Sequence, residues 1–409
     1  MKIFQALTLT LLLPLCAAAE PLKLGEAGTE LLGANPQAQA AAKSLETAVS
    51  RETAARAGLY PSFFASASYT RNGPQGYDPY DSYSYGFSGS QPLFSPALPA
   101  AVRSASAARR SAKAAYDRTA SRLSYELKTA FAGIINARET MKLSAETLKR
   151  RADNLELIRL KYQAGRENKA ALLETEAVLK TARWQHERYA KNLRLLERGL
   201  NRLLGRPAQA AVPELELPAP PEPPEDLAAF GGALENHYSL REAKAGLDSA
   251  QASLDSAKGA RLPDAKATGS YKWSGSDWPA APNAWALGAS VSVPLFAGGR
   301  LAADASAAGA ARLAAEASLR NARDEVYLNA EDAFLSWREA RAYMDVARSS
   351  LDAAEARAWL VRKQYLAGQS SYFEWRNVEE QLISEQNQYL SAGRGLAVSH
   401  AAFVQAIGE

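Results

Sequence analysis

Few residues in this 409-residue chain are equipped for covalent or metal chemistry, since it has only three histidines and one cysteine. His186, His237 and His400 are scattered without the close spacing of metal ligands, and no phosphate-binding loop or nucleophile motif accompanies them. Each reads as a solvated or tunnel-facing helix residue. Cys16 sits inside an apolar N-terminal run that export would remove. The sequence therefore predicts no catalytic residue, no metal and no cofactor, and the protein is expected not to be an enzyme. The residues that stand out would position or bind. Ser371-Tyr372-Phe373-Glu374 has the S-x-x-E form of a capping box, in which Glu374 reaches back to a backbone amide at a helix start. Gly165 and Gly368 each follow a long helix-forming run, where a glycine in the left-handed region ends the helix.

The elements that position these groups belong to an exported chain. Lys2, the apolar residues 3–16 and Ala17-Ala18-Ala19 read as a signal peptide over residues 1–19. Its apolar run of about 14 residues is short against the roughly 20 of a spanning helix. Leu15 rather than a small residue precedes Cys16, so lipidation is not expected. The net charge is +4 with both signs interspersed, which offers nothing to nucleic acid. Hydrophobic residues make up 47% of the chain, but much of that is alanine, which suits close-packed helices better than one large core. No later stretch is long and apolar enough for a spanning helix.

The chain is written twice. Leu93-Phe94 and Leu295-Phe296 stand 202 residues apart, as do Pro61 and Pro263, and "KYQAG" at 161–165 answers "QYLAG" at 364–368. Two repeats, 20–207 and 227–409, flank a proline-rich linker, 208–226, expected to be stiff rather than folded. Each repeat runs in one order: an alanine-polar helix (34–58 and 235–260), two alternating segments, a very long helical run, a glycine turn and a last helix.

The alternating segments cover about 61–72, 82–94, 263–273 and 284–296. Phe63, Ala65, Ala67 and Tyr69 oppose Ser62, Ser66, Ser68 and Thr70; Tyr83, Tyr85 and Phe87 oppose Ser82, Ser84, Gly86 and Ser88. In the second repeat Tyr271 and Trp273 oppose Ser270 and Lys272, while Trp285, Leu287 and Val291 oppose Ala286, Gly288 and Ser290. Period two over about ten to twelve residues is what a tilted strand needs to cross a bilayer. One face is apolar with aromatics near both ends; the other is small and polar, as a water-filled lumen requires. Four strands cannot close a barrel, and open edges in lipid leave backbone groups unpaired, so several chains must contribute.

From about Pro99 to Tyr162 nothing breaks a helix, so roughly 64 residues give a rod of about 95 Å, and the run from about Arg300 to Tyr365 matches it. Leu123, Leu127, Ala130, Ile134, Ala137, Met141, Leu148, Ala152, Leu155 and Tyr162 recur as a coiled-coil seam. Pro92 and Pro294 fall where a ladder donor is no longer wanted, Phe94 and Phe296 anchor the lower interface, and a helix follows each. An exported coiled-coil rod without channel activity is the alternative reading; it leaves the hairpins unexplained.

The succession "LKLGEAGTELLGANPQ", "ARAGLYPSF", "QPLF", "KYQAG", "LNRLLG", "AKGARLPDA", "VPLFAGGR" and "QYLAG" resembles the TolC-type outer-membrane efflux proteins over essentially the whole mature chain. The resemblance implies an α+β membrane protein. Two repeats of helix, β-hairpin, long helix and helix per chain would trimerise into a twelve-stranded outer-membrane barrel continued by a long α-helical periplasmic tunnel. It implies an exit duct of a tripartite efflux or type I secretion system, in the outer membrane with its helical part in the periplasm. Its partners would be outer-membrane lipid, a periplasmic adaptor and, through that adaptor, an inner-membrane transporter. Loops "NGPQGYDPYD" and "SGSDWPAAPN" would face the exterior. Tyr365 would be a constricting aromatic and Glu374 an inward carboxylate, made a ring of three by symmetry and favouring cations. Asn377 stands where a second family carboxylate falls, which would weaken that ring. Ala164, Gly165, Arg166, Ala367, Gly368 and Gln369 would form the tips on which the adaptor docks.

Overall fold

The computed structural model describes residues 21–73, 75–76, 78–281 and 283–409. The expected signal segment 1–19, with Cys16, lies outside them, as do Pro74, Tyr77 and Pro282 of the two hairpin loops. In chain order the elements are β1 (Leu22–Lys23), α1 (Leu24–Ala34), α2 (Pro36–Ala57), β2 (Ser62–Asn72), β3 (Tyr80–Phe94), α3 (Ala97–Gln163), α4 (Lys169–Leu203), β4 (Leu215–Glu216), a short 3-10 turn (Leu227–Phe230), α5 (Gly231–Glu235), α6 (Tyr238–Gly259), β5 (Asp264–Gly275), β6 (Asn283–Ser292), α7 (Arg300–Leu366) and α8 (Tyr372–Ala406). Two compact units result, one of residues 36–122, 224–334 and 403–409, the other of 21–35, 123–223 and 335–402.

The first unit holds a four-stranded antiparallel sheet of order β2-β3-β5-β6, two hairpins joined by β3 and β5. The two strand-to-helix junctions differ. At the first, β3 runs through Pro92 to Phe94, and an irregularity between them sets Phe94 opposite Ala265. At the second, β6 stops at Ser292, so 293–296, expected as strand, lie beyond the ladder. Ser292 is opposite Asp264, where β5 begins, so nothing remains to pair with, and Pro294 has no N–H to offer.

Alanine explains how the helices of this unit lie together. Ala100, Ala107 and Ala114 of α3 and Ala245 and Ala252 of α6 are buried at steps of seven. Gly259, the next step along α6, sits so close to Pro96 that a Cβ would fall 2.8 Å from the proline side chain. Arg103 pairs with Asp255 (2.9 Å), Arg110 with Asp248 (2.7 Å) and Arg118 with Glu242 (2.7 Å). Such solvent-exposed pairs stabilise by at most about 1 kcal/mol each, so they fix register while the small-residue seam sets distance.

In the second unit Leu123, Leu127, Phe131 and Ile134 of α3 are fully buried, with Leu31, Leu200 and Leu204. Beyond residue 141 the expected seam is displaced. Thr147, Arg151 and Ile158 are the buried residues, while Ala152 and Tyr162 are exposed. A straight helix drifts about 20° per heptad against a strict seven-residue repeat, enough over three heptads to hand the buried face to neighbouring positions. The linker also departs from a free spacer. Its residues Leu215–Glu216 pair in parallel with Leu22–Lys23. Arg138 donates to the carbonyls of Val212 and Pro213, both at 2.8 Å, and Arg341 grips the Glu222 carboxylate through Nε and Nη2.

Candidate functional site

Pairing register sorts the sheet residues into two faces. Opposite partners share a face, so Ala65, Phe87, Tyr271 and Trp285 form one row and Phe63, Gly89, Gly269 and Leu287 the next. Phe63, Phe87, Trp285, Leu287 and Val291 are all more than 60% exposed, an apolar surface that a water-facing sheet would not keep. The other face carries Ser62, Ser66, Ser68, Ser84, Ser88, Ser270 and Ser290 with Lys266 and Lys272. Phe64 is the exception there and breaks the alternation. Aromatics gather where the hairpins turn. Tyr69 lies 5.1 Å from Tyr83, Tyr85 stacks on Trp273 at 5.4 Å, and Trp278 of the β5–β6 loop contacts Tyr83 and Tyr85. Tyr85 also donates its hydroxyl to Ala280 O at 3.2 Å. At the other end Phe94, Leu295 and Phe296 are exposed.

The helix tips are paired Schellman caps. Arg166 N donates to Lys161 O and Gln369 N to Gln364 O, both at 2.8 Å, while Gly165 N and Gly368 N donate to Tyr162 O and Tyr365 O. Gly165 and Gly368 have φ of 67° and 78°, a region that side chains with a Cβ resist. Ala164, Gly165, Arg166, Ala367 and Gly368 are exposed. The helices that follow start with different caps: Asn168 Oδ1 accepts from Ala171 N (2.8 Å), and Ser371 Oγ accepts from Glu374 N (3.2 Å).

Behind the second cap Tyr365 is only 2% exposed, in a cluster with Ile158, Val361, Tyr372, Trp375 and Val378. Its ring stacks on Trp375 at 4.6 Å and 10°, and Lys161 Nζ lies 3.7 Å from the ring centroid. Its hydroxyl donates to Glu167 at 3.0 Å. Burial first, and then Glu167, raise the phenol's pKa well above its ordinary value. Further links join the first repeat to the second. Thr175 Oγ1 gives its proton to Ala171 O, so it accepts from the Tyr372 hydroxyl at 2.8 Å; Arg376 pairs with Glu174, and Arg151 with Glu380 at 2.7 Å.

The expected gate residues therefore separate. Tyr365 is packed into a buried cluster between helices. Glu374 and Asn377 are exposed together on the other side of α8, one turn apart. The Glu374 carboxylate accepts from Ser370 Oγ at 2.9 Å, so its half of the capping box is diverted, and Asn377 Oδ1 accepts from Arg376 at 3.0 Å. Trp375, Lys161 and Glu167 were not singled out from sequence. The three-residue step from Tyr372 to Trp375 to Val378 was the available signal for a buried α8 face.

The histidines are spent locally. His186 Nδ1 bonds Ser144 Oγ at 2.8 Å, His237 Nδ1 accepts from Ser239 N at 3.1 Å to cap α6, and His400 lies against Trp337. Burial, helped by Arg241, lowers the His237 pKa to about 4, and burial with Lys128 lowers that of His400. Among the described residues no three His, Cys, Asp or Glu lie together as metal ligands.

Among the described residues no helix is long and apolar enough to cross a membrane. No curated protein sequence matches the chain. Solved structures do. VceC, an outer membrane protein of Vibrio cholerae, is 18% identical with a TM-score of 0.82, over 94% of this chain and 96% of its own. The MtrE outer membrane channel of Neisseria gonorrhoeae, solved in its open state, is 21% identical with a TM-score of 0.82, over 94% and 88%. The CmeC outer membrane channel of Campylobacter jejuni is 17% identical with a TM-score of 0.81, over 94% and 85%. These likenesses establish the two-repeat fold. The sequence profile of the outer membrane efflux proteins matches residues 28–206 and 230–409. The chain belongs to the outer membrane efflux protein family, and it is an efflux channel of the outer membrane with its helical part in the periplasm, not an enzyme.

Proposed function

We propose that three copies of this chain close a twelve-stranded barrel in outer-membrane lipid, forming the exit duct of a tripartite export system. The observation that carries this is the four-stranded sheet itself. β2 and β6 are open edges on a sheet with one apolar face, and in hydrocarbon their backbone groups have no partner except another copy's edge. Each copy contributes repeats 20–207 and 227–409, with the linker 208–226 strapped to the second unit. The Schellman knobs at Ala164, Gly165 and Arg166 and at Ala367, Gly368 and Gln369 dock the hairpin of a periplasmic adaptor, behind which an inner-membrane transporter supplies the energy. Their exposure and rigid caps support that role.

The polar pair Glu374 and Asn377 forms the gate ring, three carboxylates strong. Tyr365 acts as a fastener: with Lys161 and Glu167, and with the Thr175–Tyr372, Glu174–Arg376 and Arg151–Glu380 links, it holds the two repeats' tips together. Opening requires those links to part. The mass of the detergent-solubilised protein, read with its circular dichroism, tests the assembly. A trimer with a barrel signature is expected; a monomer without one overturns the proposal.

A further inference from the structure

The buried face of α8 runs Tyr372, Trp375, Val378, Glu379 and Leu382, with a carboxylate where the helical spacing calls for an apolar side chain. Glu379 is 6% exposed, and among the described residues it has no hydrogen-bond or ion-pair partner. A carboxylate taken out of water is costly unless something bonds it. The neighbouring cations are already engaged, Arg151 Nη2 with Glu380 and Arg376 Nη1 with Glu174. Two donors remain over: Trp375 Nε1 and Arg376 Nε are buried with no acceptor among the described residues. These groups share one place. Where α3, α4 and α8 meet, Arg151, Asn154, Thr175, Trp375, Arg376 and Glu379 line a cavity with about 10 Å³ for the centre of a water molecule, which is room for one. The first repeat has no such constellation. The repeat offset sets Leu172, Leu173 and Glu176 against Trp375, Arg376 and Glu379, and Glu176 lies at the surface, 3.7 Å from Arg159.

We propose that this cavity holds one tightly bound water, which accepts from Trp375 Nε1 and Arg376 Nε and donates to the Glu379 carboxylate and, across on α3, to the side-chain carbonyl of Asn154. Glu379 is then a positioning residue: it keeps the water, and the water ties α8 to α3. The chemistry selects the occupant. A cation would meet two N–H donors and two guanidinium groups. A chloride ion would meet a carboxylate and is larger than the space. An apolar filler would leave two donors and a carboxylate unbonded. Water alone can accept twice and donate twice. Its effect on opening rests on the reading of the second tip as a fastened gate: the closed tip can bury Glu379 because the water comes with it, and parting α3 from α8 breaks that bridge.

High-resolution crystal structures of the wild type, Glu379→Met and Glu379→Gln test the site. The wild type should show one ordered water within hydrogen-bond distance of Trp375 Nε1, Arg376 Nε and the Glu379 carboxylate. Glu379→Met, of similar length and without an acceptor, should lose it; Glu379→Gln, which keeps a carbonyl, should keep it. In planar bilayers the open probability should rise about tenfold in Glu379→Met, the weight of one buried donor left unbonded, and stay near wild type in Glu379→Gln. Trp375→Phe keeps an aromatic ring against Tyr365 and removes one donor, so it should leave the water disordered; it carries the test if Glu379→Met does not assemble. A dry cavity, an ion in place of the water, or a water equally ordered in Glu379→Met or Trp375→Phe would overturn the site. Glu379→Gln behaving like Glu379→Met would overturn the bridge in favour of a pure charge effect on the arginines. A water present in the wild type and lost in Glu379→Met, with the same conductance in both, would uphold the site and count instead against the gate reading of this tip.

Discussion

The two helix tips share a backbone and diverge in what lies behind it. Tyr162 and Tyr365 occupy the same position of the same Schellman cap, yet Tyr162 is 39% exposed and Tyr365 is 2% exposed. The repeat offset sets Leu172 against Trp375, Lys169 against Tyr372, Ala171 against Glu374 and Glu174 against Asn377. The second tip thus has the aromatic platform that buries its tyrosine, and it has an exposed carboxylate where the first has a methyl group. Duplication preserved the turn, where a glycine is required, and left the flanking side chains free to specialise. One tip became a plain cap and the other a fastened one.

The largest effect should come from the shared part. Gly368→Val forces a branched residue into the left-handed region at a cost of roughly 1–2 kcal/mol and distorts the knob, so export should be abolished while the trimer still assembles. Gly165→Val should do the same if both tips dock the adaptor. Export assays in cells, with trimer content measured alongside, decide this; unimpaired export from either variant removes that tip from the docking surface.

A smaller effect tests the specialised part. Glu374→Gln retains much of the hydrogen bonding and removes the charge, so single-channel recordings should show reduced cation selectivity and weaker block by divalent ions. Asn377→Glu should strengthen both. Unchanged selectivity in both variants would leave Ser371 and Glu374 as helix-starting residues only.

The smallest effect concerns another pair of equivalent positions, Asn35 and His237, each buried just before the second helix of its repeat. His237 has its folded-state pKa lowered to about 4 by burial and Arg241, so its contribution to stability is present above about pH 6.5 and is lost as pH falls toward 4. His237→Asn installs the first repeat's residue and should flatten the acid dependence of the melting temperature across that window. The same slope in both proteins would assign it to other groups.

How much of this was legible in the sequence depends on the range of the interaction. Period two in residues 62–70 and 82–90 showed both faces of the strands, because alternation is a local consequence of the pleat. Gly165 and Gly368 announced the caps for the same reason: a left-handed residue is a property of one position. The burial of Tyr365 was not legible. Its partners Lys161 and Glu167 stand about two hundred residues earlier, and a lysine over a tyrosine ring leaves no local pattern. The displaced seam at Thr147, Arg151 and Ile158 was hidden because a heptad count extrapolates a supercoil that this stretch of α3 does not follow. The strap formed by the linker was missed because proline-rich composition tells how stiff a segment is and nothing of what Arg138 and Arg341 would hold.

The central claim is that the second tip is fastened through Tyr365 and the first is not fastened through Tyr162. Planar-bilayer conductance of purified wild type, Tyr162→Ala and Tyr365→Ala trimers tests it most directly. Removing a buried aromatic side chain costs about 3–5 kcal/mol of local packing, so Tyr365→Ala should raise conductance and open time well above wild type, while Tyr162→Ala should match wild type. Equal responses of the two variants, in either direction, would contradict the account.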